Sequence, residues 1–356
     1  MWVVNNRCTT KMKLAAITDT ILDETSTPEQ LRSVLHEFSK LCSQASGVVP
    51  NNSFDAWAED SFLSSGVAIN AQAAAHCVTD YQRTVVFLRG INAALVELLE
   101  RFPEAPIKIL YAGCGPYGTL LLPLLDRFDP DRLDIALIDY HQQSLDSVAQ
   151  LIDFFDYRNY TINLHRGDAC DYQHAEALHL IVAEVMQKAL EQEPQFEATA
   201  NLAPQLNPGG LFIPQRIEVE LCLGSLAQER DILRRDGVVD GVLLSTSGAR
   251  IPLGTVFIVL PREAVALAET ATRNPNTGKL ELVSAPVDIP YGANLDSFDM
   301  ILFTRVQVFA HYHLSDYEAE ITLPLLCSEL TDIRAGQRCK VTYELGSYPK
   351  FNVEKI

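Results

Sequence analysis

The segment IKILYAGCGPYG, residues 107–118, constrains the fold of this 356-residue chain more than any other. It begins with a short, mainly apolar run that ends at glycine, the pattern of a buried strand. Gly113, Gly115 and Gly118 then let the backbone turn tightly and come close to a ligand. The stretch TLLLPLLDRF that follows reads as a helix interrupted by Pro123. Strand, glycine turn and helix in that order open a nucleotide-binding α/β unit, whose ligand lies at the carboxyl ends of the strands.

The same grammar continues through LDIALID (strand), SLDSVAQLIDFFDY (helix), YTINLHRGD and ALHLIVAE (strands), PQFEATANLAPQL (helix) and NPGGLFIP (strand). Strands separated by helical runs predict a mainly parallel, Rossmann-like sheet covered on both faces, here over residues 104–214. Residues 1–103 predict a helical extension. TPEQLRSVLHEFSKLCSQA offers Thr27 as N-cap and Pro28 at the first helical position, and NAQAAAHCVTDYQRTVVFLRGINAALVELLERF repeats apolar residues at helical spacing. Residues 215–356 are β-rich and alternating, with turn residues between the runs, and predict an antiparallel sandwich or barrel. DMILFTRVQVFAHYHL and YEAEITLPLL read as strands there, and REAVALAETATR as the clearest helix.

A net charge of −18 repels phosphate backbones and anionic membranes, so neither a nucleic acid nor a membrane is the expected partner. No run approaches the ~18 apolar residues of a membrane span, and no apolar run of secretory length opens the chain. The eight cysteines, Cys8 among them, are scattered without zinc spacing, as expected of reduced thiols in a cytoplasmic protein without a metal.

Two acidic residues follow successive strands. Asp139 ends the second strand, 21 residues after Gly118, where a carboxylate can accept hydrogen bonds from both ribose hydroxyls. Asp168, in RGDACDY, follows the third. The glycines with Asp139 also satisfy the fingerprint of an NAD-dependent oxidoreductase, and a binding protein without catalysis fits them as well. Asp168 resembles the carboxylate that methyltransferases commonly set here for the adenine amino group, which favours S-adenosylmethionine.

Three further stretches resemble the protein arginine methyltransferases. HCVTDYQRTVVF is similar to that family's Asp-x-x-Arg-Thr helix, with Asp80, Arg83 and Thr84 in the matching places. LHLIVAEVMQKALEQE resembles its double-glutamate loop, with Glu184 after the fourth strand and Glu193 nine residues later. LNPGGLFIPQRIEVEL resembles the passage into its β-barrel. The resemblance implies a class I S-adenosylmethionine-dependent methyltransferase with Arg83, Gly113, Gly115, Gly118, Asp139 and Asp168 on the cofactor. It also implies Glu184 and Glu193 at the acceptor, and a homodimer. Two carboxylates suit a guanidinium, which is protonated at neutral pH, because they can orient it and draw its charge away from the attacking nitrogen.

The chain departs from the family at Tyr111, where an acidic residue is usual, and in the aliphatic loop VMQKALEQ. It also lacks a Thr-His-Trp tripeptide, the nearest histidines being His311 and His313 in FAHYHLSDY. The expected acceptor is therefore a small molecule or a guanidino or amino group bound between the α/β and β parts, with protein arginine as the alternative.

Overall fold

The computed structural model describes residues 2–53, 58–236, 247–291, 298–327 and 334–356, without the side chains of residues 2–9 and 236. Helix α1 (Trp2–Leu22), in the part of the helical extension for which the sequence offered no specific pattern, buries Leu14, Ile17 and Ile21 at helical spacing, and Thr18 Oγ1 donates to the Pro123 carbonyl at 2.7 Å. Helix α2 (Pro28–Ser46) starts where the sequence predicts it. The Thr27 hydroxyl accepts from Gln30 N, the Gln30 side chain accepts from Thr27 N, and Gly47 closes the helix at φ +73°.

The next stretch is not purely helical. Strands β1 (Ser61–Phe62) and β2 (Val67–Ala68) make a small antiparallel hairpin. The long helix expected from residue 70 breaks into α3 (Ala71–His76), capped by Asn70, a 3-10 turn over Cys77–Thr79, and α4 (Tyr81–Arg101). The break serves a tertiary contact: Asp80 gives its α4 no side-chain cap, and Asp80 Oδ2 instead accepts from Glu320 N at 2.8 Å.

Strands β3 (Ile107–Ala112), β4 (Leu133–Asp139), β5 (Thr161–Arg166), β6 (Leu178–Ala183) and β7 (Leu206–Ile213) form a wholly parallel sheet in the order β5-β4-β3-β6-β7. Strand β6 is buried at every position, as a central strand covered on both faces must be, while edge strand β5 alternates with solvent. Helices α5 (Gln142–Phe154) and α6 (Gln195–Leu202) provide crossovers. The helix expected in TLLLPLLDRF is instead a turn leading into a 3-10 helix over Leu122–Arg127. Leu121 N and Leu122 N both bond the Gly118 carbonyl, and Pro123 has no N–H with which to extend a regular helix. The order in which successive strands are added reverses between β3 and β6, so the crevice outside their carboxyl ends is the topological switch point.

After Ile213 every pairing is antiparallel. Strands β8 (Arg216–Gly224) and β9 (Arg250–Val259) flank helix α7 (Leu226–Asp236), and helix α8 (Ala264–Glu269) covers only the middle of REAVALAETATR. Then follow β10 (Thr272–Arg273), β11 (Leu280–Val283), β12 (Val287–Asp288), β13 (Asp299–Phe309), β14 (Tyr312–Leu314), β15 (Leu325–Leu326), β16 (Arg338–Glu344) and β17 (Lys350–Lys355). One sheet runs β14-β13-β8-β9 with β15 beside β13, the other β10-β11-β16-β12 with β17 beside β16. Two sequence expectations change here. DMILFTRVQVFAHYHL is a hairpin, not one strand, turning at Ala310 with φ +50°, and YEAEITLPLL is mostly a 3-10 turn, Glu320–Thr322, before the short β15.

Phe196 of α6 packs edge-on against Phe257 and Tyr343, with ring centroids 5.6 and 6.2 Å apart, so the parallel sheet and the β-sheets share one aromatic core. A second, ionic cluster lies inside the β-region. Arg250 is fully enclosed, bonds Glu229 through Nε and Nη2 (2.9 and 3.1 Å), pairs with Asp316, and stacks on Phe303 at 3.4 Å. Arg305 extends the network from Asp316 to Glu220. Among the described residues no helix is long and apolar enough to cross a membrane.

Candidate active site

A cleft enclosing about 1150 Å³, including the part open to solvent, sits at the switch point. It brings together Arg83, Gly113, Gly115, Asp139, Asp168, Glu184 and Glu193, seven of the residues singled out from the sequence. Gly118 does not line it. Its φ of +51° shapes the exit from the loop, where a side chain would strike Leu122.

The glycine loop is held against the end of β4. Gly113 N and Cys114 N both donate to the Ile138 carbonyl, and Gly115 N donates to Asp139 Oδ2 at 2.9 Å. Asp139 Oδ1 accepts from His141 N at 2.9 Å. The acid therefore cross-links two loops while keeping lone pairs for a ligand, and burial pushes its carboxyl upward. Asp168 closes the same wall, accepting from Cys170 N and from the Ser65 hydroxyl at 3.1 Å.

Ser65 belongs to the hairpin, which roofs the cleft through Leu63, Val67 and Ala68. The Ala68 carbonyl lies 3.1 Å from His141 Nε2, and Val67 N donates to the Gln192 carbonyl at 2.7 Å. Gly66, at φ +152°, lies so near that a Cβ there would be 2.8 Å from Gln192 O and 3.0 Å from Pro194. Gly66→Ala should displace the hairpin or the loop beneath it and lower stability by about 1–3 kcal/mol, read as a drop in melting temperature. An unchanged melting temperature would show that the hairpin does not bear on that loop.

That loop carries the two glutamates. Val185 N donates to the buried Gln195 side chain, which in turn donates to the Ala183 carbonyl, so the chain around Glu184 is clamped on both sides. Beyond it Ala189, Leu190 and Gln192 all take positive φ, costly for residues with a Cβ. Neighbours hold them there: Ala189 N donates to Thr304 Oγ1, the Leu190 carbonyl accepts from Tyr343 OH, and Gln192 N donates to the Pro349 carbonyl. The β-sheets thus bend the loop until Glu193 returns to the cleft that Glu184 also lines.

Arg83 forms an ion pair with Glu184 through Nη2 and Oε2, and its Nη1 donates to the Cys77 carbonyl at 3.3 Å. Both side chains are largely enclosed, and among the described residues Arg83 Nε and Glu184 Oε1 have no hydrogen-bond partner. Burial, only partly offset by Arg83 and by a hydrogen bond from Gln187, pushes the Glu193 carboxyl up to about 7. Burial likewise raises Asp80.

Sequence reasoning missed the hairpin, His141, Glu320 and Ile321 as cleft walls. The Ser65-Gly66 turn between Phe62-Leu63 and Val67-Ala68 was the available signal for the hairpin; Glu320 and Ile321 had none. His311 and His313 lie outside the cleft, exposed near the β13–β14 turn, where Tyr312 OH bonds Glu24. Among the described residues no three His, Cys, Asp or Glu side chains gather as metal ligands, and the seven described cysteines are free; the Cys8 thiol lies outside the described residues.

No protein-family model matches the chain, and no curated protein does. Among solved structures the chain is similar to the Trypanosoma brucei PRMT1 enzyme-prozyme heterotetrameric complex with AdoHcy, at 13% identity and a TM-score of 0.48 over 78% of this chain and 91% of that one. It is similar also to Arabidopsis thaliana Protein Arginine Methyltransferase 10 in an open conformation, at 12% identity and a TM-score of 0.46 over 75% of this chain and 86% of that one.

Proposed function

We propose that the chain is an S-adenosylmethionine-dependent methyltransferase whose acceptor is a small molecule bearing a guanidino or amino group. One observation carries this reading. The glycine loop, Asp139 and Asp168 share a single cleft with an arginine and two buried glutamates.

The residues fit the cofactor. Asp139 has lone pairs for ribose hydroxyls, Asp168 for an adenine amino group, and Arg83 has an unpartnered Nε for a carboxylate. The cofactor supplies an electrophilic methyl group on a sulfonium. Glu184 and Glu193 then orient a cationic acceptor in surroundings that exclude water. Glu193, with its carboxyl near 7, can take up the proton that an acceptor nitrogen releases. Neither a hydride transfer nor passive nucleotide binding would use this pair of acids.

Calorimetric titration with S-adenosylhomocysteine and with NAD tests the cofactor: binding of NAD alone would refute the reading. Labelled cofactor incubated with cell extract and separated by size tests the acceptor, since label only in macromolecules would replace the small molecule by a protein. Asp139→Ala should weaken S-adenosylhomocysteine binding by about 1–3 kcal/mol, the range for a lost charged hydrogen-bond partner.

Glu193 also sets a pH dependence. Its folded-state carboxyl lies above the ordinary range, so its contribution to stability is complete at low pH and is lost as pH rises through about 7. Glu193→Gln mimics the protonated form, so its urea stability should gain on the parent protein between pH 5 and pH 8. A difference that stays flat over that interval would mean that Glu193 is not buried as described.

A further inference from the structure

The acids that line the cleft outnumber the charges the cofactor can balance. Asp80, Asp139, Asp168, Glu184, Glu193 and Glu320 all line it, and Arg83 is the lone fixed cation among the described lining residues, with His141 the other basic group. Asp139 and Asp168 are held by backbone amides and the Ser65 hydroxyl, and Glu184 pairs with Arg83. That leaves Asp80, Glu193 and Glu320, which converge on Cys77, another residue of the cleft wall. Burial pushes the Cys77 thiol up, Arg83 pulls it down, and Glu193, Glu320 and Asp80 push it up further. Asp80 Oδ2 accepts from Glu320 N at 2.8 Å, which ties the exposed Glu320 to the start of α4. In the same cleft the Glu184 side chain is 2% exposed and its Oε1 has no partner among the described residues, a buried acceptor atom that still needs a donor.

We propose that the acceptor is a small dication without a carboxylate, a guanidinoalkylamine or a diamine: one cationic group carries the nitrogen that is methylated and meets Glu184 and Glu193, while Asp80 and Glu320 hold a second, unreactive ammonium. This inference rests on the reading above and narrows its acceptor. S-adenosylmethionine brings a sulfonium, an ammonium and a carboxylate, a single net positive charge, so the cleft stays negative once it is bound. An acceptor with one cation leaves more of that charge unbalanced than an acceptor with two. Partly buried pairs are screened less by salt than exposed ones, so the second cation contributes affinity as well as orientation. A carboxylate on the acceptor meets repulsion from the same acids, which selects against amino acids and guanidino acids. Glu320 reaches the cleft from the 3-10 turn of the β-region and Asp80 from the start of α4, whereas Glu184 follows β6. Asp80 and Glu320 thus determine specificity by reading the far end of the acceptor, and take no part in methyl transfer.

The probes are guanidinoalkylamines of increasing chain length, each beside the alkylguanidine of the same length, titrated calorimetrically into the full chain saturated with S-adenosylhomocysteine. The best-fitting dication should bind about tenfold more tightly or better than its monocation, the scale of one charge-assisted hydrogen bond. The guanidino acid of that length should bind more weakly than either. Glu320→Gln should cut the preference to about threefold or less. Asp80→Asn, whose amide oxygen can still accept from Glu320 N, should do the same. Asp131→Asn removes an exposed charge outside the cleft and should keep the whole preference, which separates local pairing from the net charge of −18. Binding of the alkylguanidines with a preference below about twofold across the series, or a preference that Glu320→Gln leaves intact, would overturn the dication and keep the guanidino acceptor. Failure of every guanidine to bind the S-adenosylhomocysteine complex would overturn both. Absence of S-adenosylhomocysteine binding would overturn the cofactor reading with them.

Discussion

Glu184→Gln should abolish methyl transfer, with kcat falling at least about 10²–10³-fold, the scale seen when one preorganised charged or polar group is removed from a reacting centre. The exchange is isosteric, so it leaves the clamp of Gln195 on Val185 and Ala183 in place. What it removes is the negative charge at the buried end of the cleft. An amide cannot stabilise a cationic acceptor there or draw charge from its attacking nitrogen. The same change frees Arg83 of its ion partner, so affinity for S-adenosylhomocysteine should be retained or improved rather than lost. Single-turnover rates beside calorimetry separate the two effects. Turnover within a few-fold of the parent protein would remove Glu184 from the mechanism.

Arg250→Met should cost about 3–5 kcal/mol of stability, the range for breaking a buried ion pair from one side. Arg250 is enclosed with Glu229 and Asp316, and Tyr317 OH also bonds Glu229. Methionine fills much of the volume but leaves two buried carboxylates with less counter-charge, since among the described residues only Arg305 still reaches Asp316. Adding Glu229→Gln should recover part of the loss, which a double-mutant cycle in thermal or urea denaturation would measure. None of these residues lines the cleft, so S-adenosylhomocysteine affinity at low temperature should hold. A loss below about 1 kcal/mol would mean that the network is solvated and not buried.

The parallel sheet was legible because its signal is local. Buried strands such as Leu178–Ala183 are continuous apolar runs, and a glycine turn after β3 admits few alternatives. Asp139 and Asp168 were legible for a related reason: each ends or follows a strand, and strand ends in such a sheet converge. The failures occur where tertiary contacts override local preference. TLLLPLLDRF has helical composition, but Gly118 and Pro123 start it in a turn and α1 packs over the result. The helix expected across residue 80 breaks because Asp80 bonds the 3-10 turn at Glu320, on a segment of distant sequence.

By itself, then, the sequence determined the α/β unit, the glycine cradle and the two acids at its strand ends, since hydrophobic period and glycine conformation act over a few residues. Only the tertiary structure decided that Glu193 faces the cleft, that the hairpin roofs it, and that Arg83 pairs with Glu184. The loop bearing Glu193 holds three residues at positive φ that no local preference would choose. Hydrogen bonds to Thr304 and Pro349 and from Tyr343, more than 100 residues away, keep it there.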